Sequence, residues 1–150
     1  MLHVSLTARD ADALSSFYRV ALGFAERRPP KRLHGETVSR GNGLPNSDIY
    51  TIWLNQPDQQ GPFLEIMEYT EAVERPPPAV NELGFAHLAF DVGDLQATIE
   101  KVLQSGGSMQ GEVINFGTQQ QPYFVVYVRD PEGNILELEQ RFNAEEADMR

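Results

Sequence analysis

The alternation of apolar and polar residues predicts a strand, a helix and further strands in the first half of the chain. Residues 2–7 alternate as in a half-buried strand, and apolar residues recur at helical spacing from 10 to 22. Residues 24–48 predict a strand, a long loop and part of a second strand. The apolar segments 49–54 and 63–69 predict two more strands.

The second half of the chain shows the same order of elements. A strand is predicted over 85–92, followed by a helix over 95–103 that ends before two glycines. Residues 112–118 indicate a strand, and 123–128 have a strongly apolar strand pattern. The turn sequence Asp-Pro-Glu-Gly-Asn then leads into an alternating strand that begins at residue 135. The mixture of helices and strands predicts an α+β fold.

A proline-rich segment separates the two halves. Residues 71–83 contain three consecutive prolines and few apolar residues, which is typical of a linker. We therefore predict a first βαβββ module over 1–70 and a second one over 84–141. Residues 142–150 are predicted to form an acidic tail.

The two halves align with each other as an internal repeat. A shift of 84 positions superposes His3 on His87, Leu6 on Phe90, Asp10 on Asp94, Ala13 on Ala97 and Gly23 on Gly107. If the long loop of the first half holds 12 extra residues, Glu65 in Phe-Leu-Glu-Ile also falls on Glu137 in Ile-Leu-Glu-Leu. Each half therefore supplies one histidine in its first strand and one glutamate in its last strand.

Composition and charge exclude several classes of function. A chain of 150 residues, 41% hydrophobic and 23% charged, is typical of one globular domain or of two small halves that share a core. The net charge of −10 argues against nucleic acids and anionic membranes as partners, and no apolar run is long enough to span a membrane. The chain has no cysteine, so disulfides and thiolate sites are excluded. Together with the lack of a visible secretory leader, this predicts a cytoplasmic protein.

The repeat-equivalent residues His3, Glu65, His87 and Glu137 are the candidate metal ligands. A pseudo-twofold relation between the halves would bring all four to one site. Two imidazoles and two carboxylates suit a divalent first-row metal and leave room for water or substrate. We therefore predict one divalent metal ion (Zn, Ni, Co, Mn or Fe) and no organic cofactor.

Residues of these types more often have structural roles, so alternatives stay open. A lone histidine on a strand is usually packed or exposed, and a lone glutamate usually faces solvent. Glu68 and Glu139 are alternative ligands, and His34 is predicted to be solvated in a polar loop. The basic residues between 27 and 40 are more typical of a solvated surface than of a substrate clamp.

Motifs in both halves carry a family resemblance. The matching segments are His3 with Phe17-Tyr18 and Leu22-Gly23-Phe24, Leu64-Glu65-Ile66, the segment Gly-Phe-Ala-His-Leu-Ala-Phe around His87, and Asp-Pro-Glu-Gly-Asn-Ile-Leu-Glu-Leu around Glu137. With them, residues 2–140 resemble the vicinal oxygen chelate superfamily. This superfamily includes glyoxalase I, methylmalonyl-CoA epimerase, extradiol dioxygenases and antibiotic-resistance proteins such as the bleomycin resistance protein.

The resemblance implies a fold, an assembly and a ligand set. The fold is two βαβββ modules whose eight strands form a cupped sheet around the metal, commonly in a homodimer whose chains can complete each other's sites. The ligand set of glyoxalase I (His, Glu, His and Glu) is closest to the four residues here. Epimerases usually have Gln at the position of Glu65. Thr7 and Tyr69 stand where glyoxalase I tends to have an arginine and an asparagine that hold glutathione, so glutathione specificity does not carry over.

The function implied is that of a glyoxalase-like lyase or isomerase, which removes a proton next to a carbonyl group of a small molecule. Glu137 is the first choice for the catalytic base and Glu65 the second. One alternative is an iron(II) extradiol dioxygenase that uses His3, His87 and Glu137. Another is a non-catalytic resistance protein that binds a drug among aromatic residues of a dimer groove.

Overall fold

The computed structural model describes residues 1–143, and residues 144–150, which include most of the predicted acidic tail, lie outside the described residues. The chain divides into two compact units, Met1–Pro76 and Pro77–Arg150. The division falls inside the segment 71–83, which contains neither helix nor strand.

The first unit contains a four-stranded sheet and two helices. Its elements are β1 (His3–Thr7), α1 (Ala11–Leu22), β2 (Ala25–His34), α2 (Glu36–Asn42), β3 (Asp48–Asn55) and β4 (Phe63–Tyr69). The strand order is β1-β4-β3-β2, with β1 parallel to β4 and the other neighbours antiparallel. The first and last strands of the unit therefore lie side by side.

The second unit repeats this plan. Its elements are β5 (His87–Asp91), α3 (Leu95–Gln104), β6 (Ser108–Met109), β7 (Ile114–Asn115), β8 (Tyr123–Arg129) and β9 (Ile135–Arg141). The strand order is β5-β9-β8-β6, and β7 also pairs with β8. Here too the first and last strands, β5 and β9, are parallel neighbours.

The α+β fold with two βαβββ modules is confirmed, and the strand register supports the predicted alignment of the halves. His3 pairs with Phe63 and His87 with Ile135, so the two glutamates lie two positions further along equivalent strands. The two members of each repeat-equivalent pair are separated along the sequence by 84 positions for His3 and His87, 74 for Trp53 and Tyr127, and 72 for Glu65 and Glu137. Most of the extra residues of the first unit therefore lie between α1 and β3.

Both modules begin their long helix with the same N-cap. Asp10 Oδ1 accepts a hydrogen bond from the Ala13 N–H at 2.8 Å, and Asp94 Oδ1 accepts one from the Ala97 N–H at 2.9 Å. Each cap satisfies a backbone donor that has no partner within the helix, which stabilises the fold by about 1 kcal/mol. The C-cap of α1 is Gly23, whose φ of 71° is a left-handed conformation that glycine adopts without strain.

The helix of each module packs on one face of its own sheet. In the first unit Tyr50 on β3 donates to Asp12 on α1, and Glu68 on β4 accepts from the Ala11 N–H, so the even-numbered residues of these strands face the helix. The core between them is almost fully buried; its largest side chains include Phe17, Tyr18, Leu54 and Ile66 in the first unit and Val102, Leu136 and Leu138 in the second. Burial of each such apolar side chain contributes about 1.5–3 kcal/mol. The candidate glutamates are odd-numbered and lie on the opposite faces.

Residues 24–48 differ from the sequence prediction. They form the ten-residue strand β2 and the helix α2, rather than a strand, a long loop and part of a strand. β2 continues through Pro29 and Pro30 because it is an edge strand, where a missing N–H costs little, and because its register shifts on both sides of Arg28. The helix α2 has no buried residue and no side-chain cap. Its sequence therefore lacks the apolar spacing and the capping residue by which a helix is predicted.

The second sheet also departs from the prediction of four strands per module. Only Ile114–Asn115 of the predicted strand 112–118 pairs in the sheet, and Ser108–Met109 forms a further short strand. Glycines at 106, 107, 111 and 117 interrupt this region, and glycine weakens regular strand pairing. In residues 1–143 the total is therefore nine strands instead of eight.

Candidate metal centre

The first unit brings His3 and Glu65 together on the face of its sheet that α1 leaves free. The His3 Nε2 atom lies 4.0 Å from Glu65 Oε1, a distance too long for a hydrogen bond. Both carboxylate oxygens have donors instead, because Ser5 Oγ donates to Oε1 and Trp53 Nε1 donates to Oε2, each at 2.8 Å. Glu65 is therefore held at both oxygens while its side chain remains 18% exposed.

The second unit brings His87 and Glu137 together in the same register, with closer contact. The His87 Nε2 atom lies 2.8 Å from Glu137 Oε2, which also accepts a hydrogen bond from the Tyr127 hydroxyl at 3.1 Å. Ala89 stands opposite Glu137, where the first unit has Ser5 opposite Glu65. Within residues 1–143, no hydrogen-bond donor contacts Glu137 Oε1.

Aromatic rings support both imidazoles. The His3 ring stacks on Phe63 with centroids 5.0 Å apart, and the His87 ring meets Tyr127 edge to face at 5.1 Å. Burial, and then the hydrogen bond to Glu137, raise the pKa of Tyr127, so its hydroxyl stays protonated and remains a donor. The imidazoles are about a third exposed, at 38% for His3 and 32% for His87.

The structure thus places the predicted ligands as one His–Glu pair in each unit. In the part of the chain that is described, no three or more His, Asp or Glu side chains form a group that could hold a metal ion. The joint site of His3, Glu65, His87 and Glu137 therefore stays a prediction.

The alternative ligands have other partners. Glu68 Oε2 accepts a hydrogen bond from the first N–H of α1 at 2.8 Å, and thus completes the helix N-terminus. Glu139 Oε2 accepts from the Tyr123 hydroxyl at 2.7 Å and from Arg141 at 3.2 Å. The Tyr123 hydrogen bond is the main cause that lowers the pKa of Glu139, and it keeps this carboxylate ionised. His34 is exposed at the end of β2.

Sequence reasoning missed the side chains that hold the two glutamates, namely Ser5, Trp53 and Tyr127. Trp53 lies directly across from Glu65 on β3, and Tyr127 lies directly across from Glu137 on β8. An antiparallel register between 49–54 and 63–69 would have identified Trp53 as the neighbour of Glu65, since residues opposite each other share a sheet face. A parallel pairing of β1 with β4 would likewise have identified Ser5 as the neighbour of Glu65.

Comparison with known protein families identifies the superfamily of this chain. The family model of the Glyoxalase/Bleomycin resistance protein/Dioxygenase superfamily matches residues 1–138. The chain belongs to this superfamily. No curated protein matches the chain.

Solved structures share the fold. A glyoxalase family protein from Bacillus cereus is 22% identical, with a TM-score of 0.85 over 95% of this chain and 94% of that chain. A point mutant of glyoxalase I from Zea mays is 18% identical, with a TM-score of 0.66 over 95% of this chain and 46% of that one. The fosfomycin resistance protein FosX from Mesorhizobium loti is 16% identical, with a TM-score of 0.59 over 100% of this chain and 97% of that chain.

A helix that crosses a membrane must be both long and apolar. No helix in residues 1–143 meets both requirements.

Proposed function

We propose that this chain is a metal-dependent lyase or isomerase of the glyoxalase type, which removes a proton next to a carbonyl group of a small molecule. The observation that carries the proposal is the repeated His–Glu pair, at the same register of the first and last strands of each module. Membership of the superfamily is consistent with it. We further propose that His3, Glu65, His87 and Glu137 bind one divalent metal ion and that the protein acts as a homodimer.

The donor set fits such an ion. Each pair offers one imidazole nitrogen and carboxylate oxygens on the same side of a sheet, 4.0 Å apart in the first unit and 2.8 Å apart in the second. Nitrogen and oxygen donors of this kind suit Zn, Ni, Co, Mn or Fe. Ser5 and Trp53 donate hydrogen bonds to Glu65, and Tyr127 donates one to Glu137. Hydrogen bonds of this kind orient metal-binding carboxylates.

When bound, the metal supplies Lewis-acid stabilisation of negative charge on the substrate oxygens. The protein's own contribution is the base. Glu137 is the group that takes the proton from the substrate carbon and returns it to the neighbouring carbon, since one of its oxygens has no protein donor in residues 1–143. Glu65, which receives two hydrogen bonds, serves as an oriented ligand of the metal ion.

The substrate is a small molecule other than a glutathione adduct bound in the glyoxalase I manner. Thr7 and Tyr69 stand at the positions where glyoxalase I tends to have an arginine and an asparagine. Neither side chain carries the positive charge that an arginine would offer to a glutathione carboxylate.

The test is exchange of the substrate's α-proton with deuterated solvent, measured by NMR on metal-loaded protein. We expect exchange with hemithioacetals or α-substituted thioesters, and none in protein that has been stripped of metal. Oxygen uptake with a catechol in iron-loaded protein, without any proton exchange, would instead establish the dioxygenase alternative. Drug binding without exchange or oxygen uptake, unaffected by metal removal, would establish the non-catalytic alternative.

A further inference from the structure

Two consecutive arginines on the edge strand β2 lie beside the His3–Glu65 pair. The register between β2 and β3 shifts between Glu26 and Arg28, so Arg27 is an extra residue in the strand. A bulge of this kind re-aims side chains and turns two neighbouring residues toward one position of the partner strand. In a regular strand Arg27 and Arg28 would point to opposite faces.

Both guanidinium groups lie on aromatic rings of the face that carries Glu65. The Arg28 Cζ atom is 3.6 Å from the centroid of the Trp53 ring, and the Arg27 Cζ atom is 4.5 Å from that of the Phe63 ring. Trp53 in turn donates to Glu65, and Phe63 stacks on His3. Each arginine is therefore separated from the His–Glu pair by a single ring.

Carboxylates of residues 1–143 do not neutralise the charges of these two arginines. Four other arginines form ion pairs with acidic side chains, namely Arg9, Arg32, Arg40 and Arg141. In residues 1–143, no ion pair is formed by Arg27 or Arg28, although the chain has a net charge of −10. Arg27 makes one hydrogen bond, from Nη1 to Asn55 Oδ1 at 2.9 Å, which fixes its orientation.

A guanidinium that stacks on a ring keeps its N–H groups in the plane of the fork, where they can bind two oxygens at once. Resting on the proposed function, we propose that Arg27 and Arg28 bind an oxyanion group of the substrate, either a carboxylate or a phosphoryl group. The segment of the second unit between α3 and β8, residues 105–122, contains neither arginine nor lysine. The anionic end of the substrate therefore lies at the first unit.

The experiment uses the full chain after removal of metal, with Trp53 as the fluorescent reporter because it is the chain's single tryptophan and lies under Arg28. Methylphosphonate, propionate and the neutral propionamide are titrated separately at constant ionic strength. We expect a saturable fluorescence change with at least one of the two anions and none with propionamide. The two anions distinguish a phosphoryl from a carboxylate site.

The variants Arg27→Gln and Arg28→Gln should each raise the Kd of the anion by about tenfold, because each removes charge-assisted hydrogen bonds. Arg19→Gln, on the exposed side of α1, is the matched control and should leave the Kd unchanged. Circular dichroism checks that each variant is folded. Absence of saturation with both anions, equal binding of propionamide, or an unchanged Kd in both variants would overturn the proposal.

This result is independent of metal binding and of turnover. Arginine-dependent anion binding in a protein that shows no proton exchange would remove the proposed reaction and keep the anion site. Proton exchange on neutral substrates only, with no anion binding, would remove the anion site and keep the proposed reaction.

Discussion

The two His–Glu pairs share a backbone register and differ in the side chains that hold the glutamate. Glu65 receives hydrogen bonds at both oxygens, from Ser5 and Trp53, and its histidine is 4.0 Å away. Glu137 receives one hydroxyl, from Tyr127, on the same oxygen that contacts its histidine at 2.8 Å. A repeated scaffold thus presents equivalent residues in unequal surroundings.

We expect this difference to give the two carboxylates separate roles. Hydrogen bonds to both oxygens of a carboxylate fix its orientation toward a metal ion. Glu65, with two donors, is suited to remain an oriented metal ligand, whereas Glu137 keeps an oxygen without a donor among the described residues. Most of the catalytic effect is therefore expected in the second unit, and the binding of the substrate's anionic group in the first.

The largest expected effect comes from removing the base. Glu137→Gln keeps an oxygen for the metal but cannot accept a proton, so α-proton exchange should fall by about 10²-fold or more while metal affinity falls only modestly. Glu65→Gln should reduce exchange less. Exchange rates measured by NMR at saturating metal compare the two variants.

Glu139→Gln is the matched control, since it lies on the same strand face as Glu137 and is already paired with Tyr123 and Arg141. Its exchange rate should remain close to that of the unmodified chain. Equal losses in Glu65→Gln and Glu137→Gln would show that both glutamates act as bases. Unchanged exchange in both would rule out a glutamate base.

A smaller effect is expected from exchanging the residues that face the two carboxylates. Ala89→Ser offers Glu137 a hydrogen-bond donor like the one that Ser5 gives Glu65. We expect α-proton exchange to slow by about tenfold, which corresponds to the usual energetic contribution of a hydrogen bond to a charged group. Ser5→Ala removes that donor from Glu65 and should lower metal affinity by a similar factor. Exchange kinetics and metal titration measure the two variants. Faster exchange in Ala89→Ser would contradict the assignment of roles.

The parts of the fold that depend on local patterns were predictable from the sequence. Asp10 and Asp94 occupy repeat-equivalent positions just before segments with helical spacing, and both are N-caps in the structure. The strand around Glu65 was predicted with its observed bounds, Phe63–Tyr69, because this short segment is largely apolar. The equivalence of Glu65 and Glu137 required an assumed insertion, which the strand registers now support.

The parts that depend on strand pairing were not predictable in this way. Two prolines argue against a strand, yet β2 passes through them because its outer edge has no partner strand in the first unit. The arginines of the same strand were predicted to form a solvated surface. The bulge, which the sequence does not reveal, turns Arg27 onto Phe63 and Arg28 onto Trp53. Ser5, Trp53 and Tyr127 likewise acquire their roles through neighbours that are distant in sequence.

The proposed metal site is tested by the metal content of the purified chain, measured by elemental analysis after loading with Zn²⁺ or Ni²⁺ and removal of excess metal. We predict one ion per chain, and its loss when residues 1–3 are deleted. That deletion removes His3 with only the exposed Met1 and Leu2, so the fold should survive, as circular dichroism can verify. His34→Ala, at the one other histidine, should retain the metal. A folded truncated chain that binds metal with undiminished stoichiometry and affinity, or an unmodified chain that binds none, would contradict a metal site that includes His3.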